Sequence, residues 1–254
     1  MIRFLEEKDK NAVIGLWQEA FGEAEKEIQP FLDFIGKDML VMEENGQIFS
    51  MLSLIRVKIG AETGRYVYAV ATDKRFRGKG FASRLLSYAK KYASENGESF
   101  LVLLPRNASL FAFYEKNGFT PLCCAKRISR KIEKSALNAE KITAKEYFEL
   151  KKTYFSGEKY VEWDIKTLEF MKKAYRGEFL KAGDVGIAFC HKQSDLVIIH
   201  ELLTDAAEAE IIDAFGNFLG ASMAEGIKAE KNGEKFAVIY PPEYRDAYFG
   251  LGMQ

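Results

Sequence analysis

Residues 75–83 read RFRGKGFAS, and they lie between an apolar run, YVYAVAT, and a long amphipathic stretch. Three cations, Arg75, Arg77 and Lys79, are interleaved with two glycines, Gly78 and Gly80. The first turn of a helix leaves backbone N–H groups without intrahelical partners, and the aligned peptide dipoles favour negative charge there. Glycine lacks the Cβ that would hold an anion away from those donors. The chemistry open to this stretch is the grip of a phosphate by backbone amides of residues 77–82, with Arg75, Arg77 and Lys79 as further charge. Dipole attraction contributes only about 0.3–1 kcal/mol, so directed hydrogen bonds must carry most of the binding.

Two other readings of these residues stand beside that one. The stretch could be an exposed turn whose cations are solvated. It could also be a dinucleotide fingerprint, since Gly78-x-Gly80-x-x-Ser83 nearly matches Gly-x-Gly-x-x-Gly/Ala. That fingerprint usually follows the first strand of a βαβ unit directly. Here a charged DKRFR intervenes and several strand patterns come first.

Composition narrows the partners. Lys plus Arg equals Asp plus Glu across 254 residues, so the formal net charge is zero. A nucleic-acid or membrane-surface binder usually shows a cationic excess, and neither is expected. The three cysteines, Cys123, Cys124 and Cys190, lack the spacing of a disulfide framework or a zinc knuckle, and no metal site is expected. The first residues carry no signal-peptide pattern and no apolar run is long enough to span a bilayer, so a cytoplasmic protein is expected. Both histidines, His191 and His200, fall in the second half, and chemistry confined to the first half must do without imidazole.

The elements that must position the glycine stretch follow from periodicity. IRFL reads as a strand, and Ala12, Val13, Leu16, Trp17, Ala20 and Phe21 recur at helical spacing. A second helix is expected over EIQPFLDFIG, then two strands joined at Asn45-Gly46, then RYVYAVAT as a further strand. A long helix from Gly80 stops at Asn96-Gly97. The strand SFLVLL, a short helix ending at Asn117-Gly118 and a strand FTPLCCAKRISRKI complete the half. The order β-α-α-β-β-β-α-β-α-β predicts an α/β (α+β) fold, a mixed and mostly antiparallel sheet flanked by helices.

Residues 131–142, KIEKSALNAEKI, read as a linker, dividing the chain into domains 1–133 and 134–254. Thr143-x-x-Glu146 then resembles a capping box. The second half looks like a worn copy of the first. AVIGLWQEAF pairs with EYFELKKTYF, placing Phe21 and Phe155 134 residues apart. FLVLLP pairs with FAVIYP, placing Pro105 and Pro241 136 apart. Similar offsets suggest duplication, although any two α+β segments share such patterns to a degree. Where the first half has RFRGKG, the second has TDAAEAE, acidic and without glycine.

Arg75-x-x-Gly78-x-Gly80, after an apolar strand and opening a long helix, resembles the pyrophosphate loop of the GNAT acyltransferase superfamily. Downstream, LLPRNASLFAFYEKNGF resembles that family's second signature, with Asn107, Tyr114, Gly118 and Phe119 in its places. The resemblance covers roughly residues 1–130. It implies an N-acetyltransferase using acetyl-CoA or a related acyl-CoA, with Phe81 and Ala82 among the pyrophosphate donors and Asn107 at the cofactor. It also implies that the strand before the loop splays from its neighbour, so that Val70, Ala71 and Thr72 offer main-chain groups to the pantetheine arm. By the same resemblance Tyr114 is the general acid beside the sulfur, and transfer is direct, in a ternary complex.

Many relatives carry a carboxylate on the strand before the loop, and RYVYAVAT has none. By strict alternation Tyr66, Tyr68 and Val70 would share a face, and Tyr68 could relay a proton through water. A lysine-type amine is only about 0.04% neutral at pH 7, an α-amine about a tenth. The empty base position therefore leans toward acceptors of low pKa. Trp17, Phe21 and Phe31 could line the acceptor groove, or could simply be core. The second half would cover that groove or present a surface to a second copy, with Asp164, Glu169, Glu178 and Glu201 available to a cationic acceptor. Two alternatives from other classes remain: a CoA-responsive binding protein without turnover, and a nucleotide-binding oxidoreductase.

Overall fold

In the computed structural model, residues 1–204, 207–230 and 233–253 are described. They fall into two compact units, Met1–Thr120 with Val238–Arg245, and Pro121–Ala237 with the segment from Asp246 onward.

The first unit runs β1 (Ile2–Phe4), α1 (Lys10–Phe21), α2 (Glu25–Ile35), β2 (Met39–Glu44), β3 (Gln47–Ile59), β4 (Glu62–Thr72), α3 (Phe81–Glu95), β5 (Phe100–Leu103) and α4 (Ser109–Lys116). This is the order that the apolar periods predict. Strands β1 to β5 are neighbours in sequence order. All pair antiparallel except β4 and β5, which are joined by the α3 crossover and pair in parallel. Leu85, Leu86, Ala89 and Ala93 form the buried stripe of α3, packed with Leu52, Leu54 and Val67 of the sheet.

The second unit contains β6 (Thr120–Lys131), β7 (Ala139–Ile142), α5 (Ala144–Tyr154), the two-residue β8 (Val161–Glu162), α6 (Ile165–Ala174) and β9 (Glu178–Ala182). It continues with β10 (Gly186–Gln193), β11 (Leu196–Thr204), α7 (Glu208–Leu219) and β12 (Met223–Glu230), and β13 (Glu234–Tyr240) begins in this unit and ends in the first. Its sheet order is β7-β9-β10-β11-β12-β6. Here too one pair is parallel, β11 with β12 across the α7 crossover. The Thr143 hydroxyl accepts from the Glu146 N–H at 3.1 Å and the Glu146 carboxylate from the Thr143 N–H at 2.7 Å, the capping box expected of α5.

Three sequence expectations change. The stretch read as a linker, 131–142, ends in a strand, since β7 supplies an edge of the second unit's sheet. FAVIYP is not the counterpart of FLVLLP. Its last strand residues pair antiparallel with β5, Val238 opposite Leu103 and Tyr240 opposite Leu101, so they complete the first unit's sheet. The strand that follows β5 and α4 in sequence, β6, instead pairs with β12 of the second unit. A linear cut at 133 therefore differs from the observed units at both β6 and 238–245. A short apolar strand fits any open sheet edge, and its own sequence does not say which one.

Candidate functional site

Strands β4 and β5 pair only from Gly64 to Tyr66 on one side and Phe100 to Val102 on the other. Beyond that point they part. On its other edge β4 carries a bulge: Ala71 faces Met51 and Tyr68 faces Ser53, leaving Ala69 and Val70 opposite one residue of β3. Ala69 takes a left-handed φ of 53° to accommodate the extra residue. The bulge overturns strict alternation. Tyr66 and Tyr68 stack at 6.2 Å, and Tyr68 meets Trp17 and Phe31 of α1 and α2 at 5.8 Å each. Val70 instead joins Val67 against α3. Val70, Ala71 and Thr72 thus form the bulged end of β4, beyond its last pair with β5. The buried Ser50 hydroxyl braces this end, donating to the Ala71 carbonyl at 2.7 Å and lying 2.8 Å from Thr72 Oγ1.

The loop after β4 is a folded object. Asp73 accepts from the Arg75 N–H at 2.9 Å and opens a short 3-10 turn, Lys74–Phe76. The same carboxylate holds the Arg75 guanidinium at 2.6 Å. That pairing keeps Asp73 below the usual carboxylate range, chiefly through the hydrogen bond from Arg75. Arg75, expected to reach for the ligand, therefore braces the turn. Arg77 Nε donates to the Thr72 carbonyl at 3.0 Å, and Glu19 of α1 accepts from the Lys74 N–H at 2.8 Å. Beneath lie three rings: Phe49 meets Phe76 at 4.4 Å and Phe81 at 5.6 Å. The Lys79 ammonium sits 4.9 Å from the Phe76 centroid.

Gly78 and Gly80 adopt φ of 77° and 78°, and a Cβ on either would project into open space. Gly80 is the N-cap of α3, with no side chain capping the helix. The first turn, including Phe81 and Ala82, therefore keeps backbone N–H donors that no capping side chain occupies. A diphosphate fits such a cradle in charge and in the directed N–H groups available.

Tyr114 lies on α4, the helix after β5. It is 5% exposed and packs with Leu85, Leu86 and Val67, and with Val70 at the edge of the same cluster. Its ring meets Phe113 at 5.1 Å and Phe119 at 5.8 Å. Burial pushes the phenol pKa up, so it remains protonated. Asn107 is exposed in the turn before α4 and accepts from the Ser109 hydroxyl at 2.6 Å. The structure thus brings the glycine cradle, the free end of β4 and Tyr114 onto the α3 side of the first sheet.

Most of the expected acceptor-side residues turn out otherwise engaged, Phe21 being half-buried. Trp17 and Phe31 are buried, and Trp17 Nε1 donates to Glu23 at 2.9 Å. Of the second-half acids, Asp164 caps α6 through the Thr167 N–H at 2.7 Å, and Glu178 pairs with Lys141 and Lys172. Glu201 is buried with both oxygens 2.8 Å from the Lys151 ammonium, while Glu169 is exposed. The first turn of α7 carries Glu208 and Glu210, acids where α3 has glycine and cations. Asp205 and Ala206 of TDAAEAE lie outside the described residues. Cys123 donates to the Phe249 carbonyl at 3.2 Å, and burial pushes its thiol up to about 12, far from a nucleophile's range. Among the described residues no group of three or more His, Cys, Asp or Glu could hold a metal ion. No helix of the described residues is long and apolar enough to cross a membrane.

Sequence reasoning missed Asp73, Glu19, Ser50 and Phe49. Asp73 alone had a local signal, an Asp two residues before the N–H it receives. The others reach the loop from elsewhere in the fold.

Residues 1–122 match the family model described as an acetyltransferase (GNAT) domain, so the first part of the chain carries a domain of GNAT type. No curated protein sequence matches it. The fold is similar to that of solved GCN5-related N-acetyltransferases. One from Anabaena variabilis has a TM-score of 0.71 at 13% identity, over 94% of this chain and 72% of that one. One from Kribbella flavida has a TM-score of 0.70 at 13% identity, over 94% and 70%. Another, from Sphaerobacter thermophilus, has a TM-score of 0.58 at 12% identity, over 94% and 93%.

Proposed function

We propose that the protein is an N-acyltransferase that moves an acyl group, acetyl in the simplest case, from acyl-CoA to an amine of a small molecule or peptide. The donor supplies an activated thioester when bound. The N–H groups of residues 77–82 would hold its diphosphate, with Arg77 and Lys79 adding charge and Arg75 holding the turn in shape. The bulged end of β4, Val70 to Thr72, would present main-chain groups along the pantetheine arm, and Asn107 would border the cofactor at the start of α4. Tyr114, kept neutral by burial, would give its proton to the departing thiolate. The C–N bond forms, the C–S bond breaks, and the amine's proton leaves to solvent.

Direct attack is favoured over a covalent enzyme intermediate, because all three cysteines lie outside the first unit and burial raises the Cys123 and Cys190 thiols. With no carboxylate on β4, an acceptor that is already partly neutral suits the site. We read the second unit as a copy of the same fold that has lost the donor loop. The matching element and sheet order supports this, as do the acids at the start of α7.

The observation that carries the proposal is the glycine-flanked start of α3, without a side-chain cap, on the helix whose buried face shares a core cluster with Tyr114. Thermal shifts with CoA and with NAD(P), and thiol release from acetyl-CoA with an amine panel, test it. A ligand at 100 times its Kd should stabilise the fold by about 2.7 kcal/mol. Stabilisation by CoA with amine-dependent thiol release is expected. Stabilisation without release would make this a CoA-binding protein, and a response to NAD(P) alone would restore the oxidoreductase reading.

A further inference from the structure

Lys90 stands midway along α3, where a lysine in sequence reads as a solvated side chain. In the structure its stem is half-buried, and its ammonium reaches across to the exit of α4. There it donates to the Asn117 carbonyl. It lies 3.9 Å from the ring centroid of Tyr240 and 4.9 Å from that of Phe119. Gly118, at φ 79°, leaves the room: a Cβ there would lie 3.3 Å from Nζ. Burial lowers the Lys90 pKa.

The turn that Lys90 holds is the one wrapped around Tyr114. The Asn117 and Phe119 N–H groups both donate to the Tyr114 carbonyl, each at 3.0 Å. The Phe119 ring stands edge-on to the Tyr114 ring. Lys90 therefore grips both the peptide and the ring that fix Tyr114, and it does so from α3, whose first turn forms the phosphate cradle. A cation at the carboxyl end of a helix is also electrostatically favourable.

We propose that Lys90 is a positioning residue that sets the distance between the Tyr114 hydroxyl and a donor anchored on α3. This rests on the acid role proposed above for Tyr114. Lys90→Met keeps the stem's packing and removes the charge and its hydrogen bond; Lys90→Arg keeps the charge. Lys90→Met should lower kcat about tenfold, with donor KM changed less than about twofold, because small displacements of a catalytic group are costly. Lys90→Arg should recover most of the loss. In a Tyr114→Phe background Lys90→Met should have almost no further effect, as residues acting through one another are not additive.

A readout free of turnover is fluorine NMR of protein containing meta-fluorotyrosine, with the Tyr114 signal assigned by its loss in Tyr114→Phe. That signal should shift in Lys90→Met and return in Lys90→Arg. An unmoved signal would overturn the proposal, as would an equal loss of kcat with and without Tyr114. If the wild type released no thiol, the acyltransfer reading would fail, and the fluorine signal would still decide whether Lys90 places Tyr114.

Discussion

Tyr114 sits among aliphatic side chains of α3 and the sheet, and desolvation alone raises its pKa. A phenol so placed holds its proton across physiological pH, which keeps it in the acid form that a departing thiolate requires. Tyr114→Phe keeps the ring and its packing, so it should leave folding and donor affinity nearly intact. Turnover should fall by about 100-fold or more, a usual contribution of general acid catalysis. Steady-state kinetics would check this, and equal kcat in the Phe variant would remove Tyr114 from the mechanism. In the proposed function Gly80 has a part in donor binding and none in proton transfer. Its φ of 78° would strain alanine by about 1–2 kcal/mol, and the new methyl would project into the space assigned to the diphosphate. Gly80→Ala should therefore weaken CoA binding about tenfold by calorimetry, from steric exclusion alone. Unchanged affinity would place the diphosphate elsewhere.

Among the elements, β4 and β11 are each held to a helix by a different kind of contact. Tyr68 of β4 packs on Trp17 of α1, whereas Glu201 of β11 pairs with Lys151 of α5. A buried ion pair of that kind contributes little net stability while intact, yet breaking one partner costs about 3–5 kcal/mol. β11 and β10 also carry both histidines. His200 Nε2 lies 2.9 Å from His191 Nδ1, and His200 is enclosed by the Phe189 and Tyr175 rings. Burial, then the neighbouring imidazole, lowers the His200 pKa to about 4. His191 is lowered too, by burial. In the unfolded chain each would titrate near 6.5. Below that pH the unfolded state takes up a proton that the folded state refuses, so stability falls as pH drops toward 4. Above 6.5 both states are neutral and the full stability is present. The His200 part of the loss should be about 3 kcal/mol. Urea midpoints at pH 4, 5.5 and 7 would reveal it, and His200→Gln should flatten the dependence. Midpoints identical in the two proteins would refute the buried neutral pair.

At the scale of the whole molecule, the division of strands matters most. The first unit's sheet needs Val238–Tyr240 as the partner of β5, although these residues come more than a hundred positions after β5. Without them β5 becomes an unpaired, apolar edge, which invites aggregation. A chain ending at residue 237 should therefore lose folded first unit, seen as poor solubility and loss of any CoA-induced thermal shift. A soluble truncation that binds CoA like the full chain would show that the added strand is dispensable. The same exchange explains why the linear boundary at 133 was legible only as a polar stretch. Its charge and its Thr143 cap are real signals, but they mark the start of α5 and say nothing of strand ownership.

What the sequence determined by itself was everything local. Apolar periods set the order of helices and strands, Asn45-Gly46 and Asn117-Gly118 set turns, and Gly78 and Gly80 set the turn that opens α3. Each depends on residues within a few positions of one another. Tertiary structure alone decided that Asp73 captures Arg75, that a bulge turns Val70 away from Tyr68, and that Lys90 is drawn into an aromatic cage. It also decided that FAVIY closes a sheet begun in the first half. These outcomes depend on which distant surface reaches a residue first. The hydrogen-bonding edge of a strand is the same for every partner, and a charged side chain looks solvated until the fold encloses it.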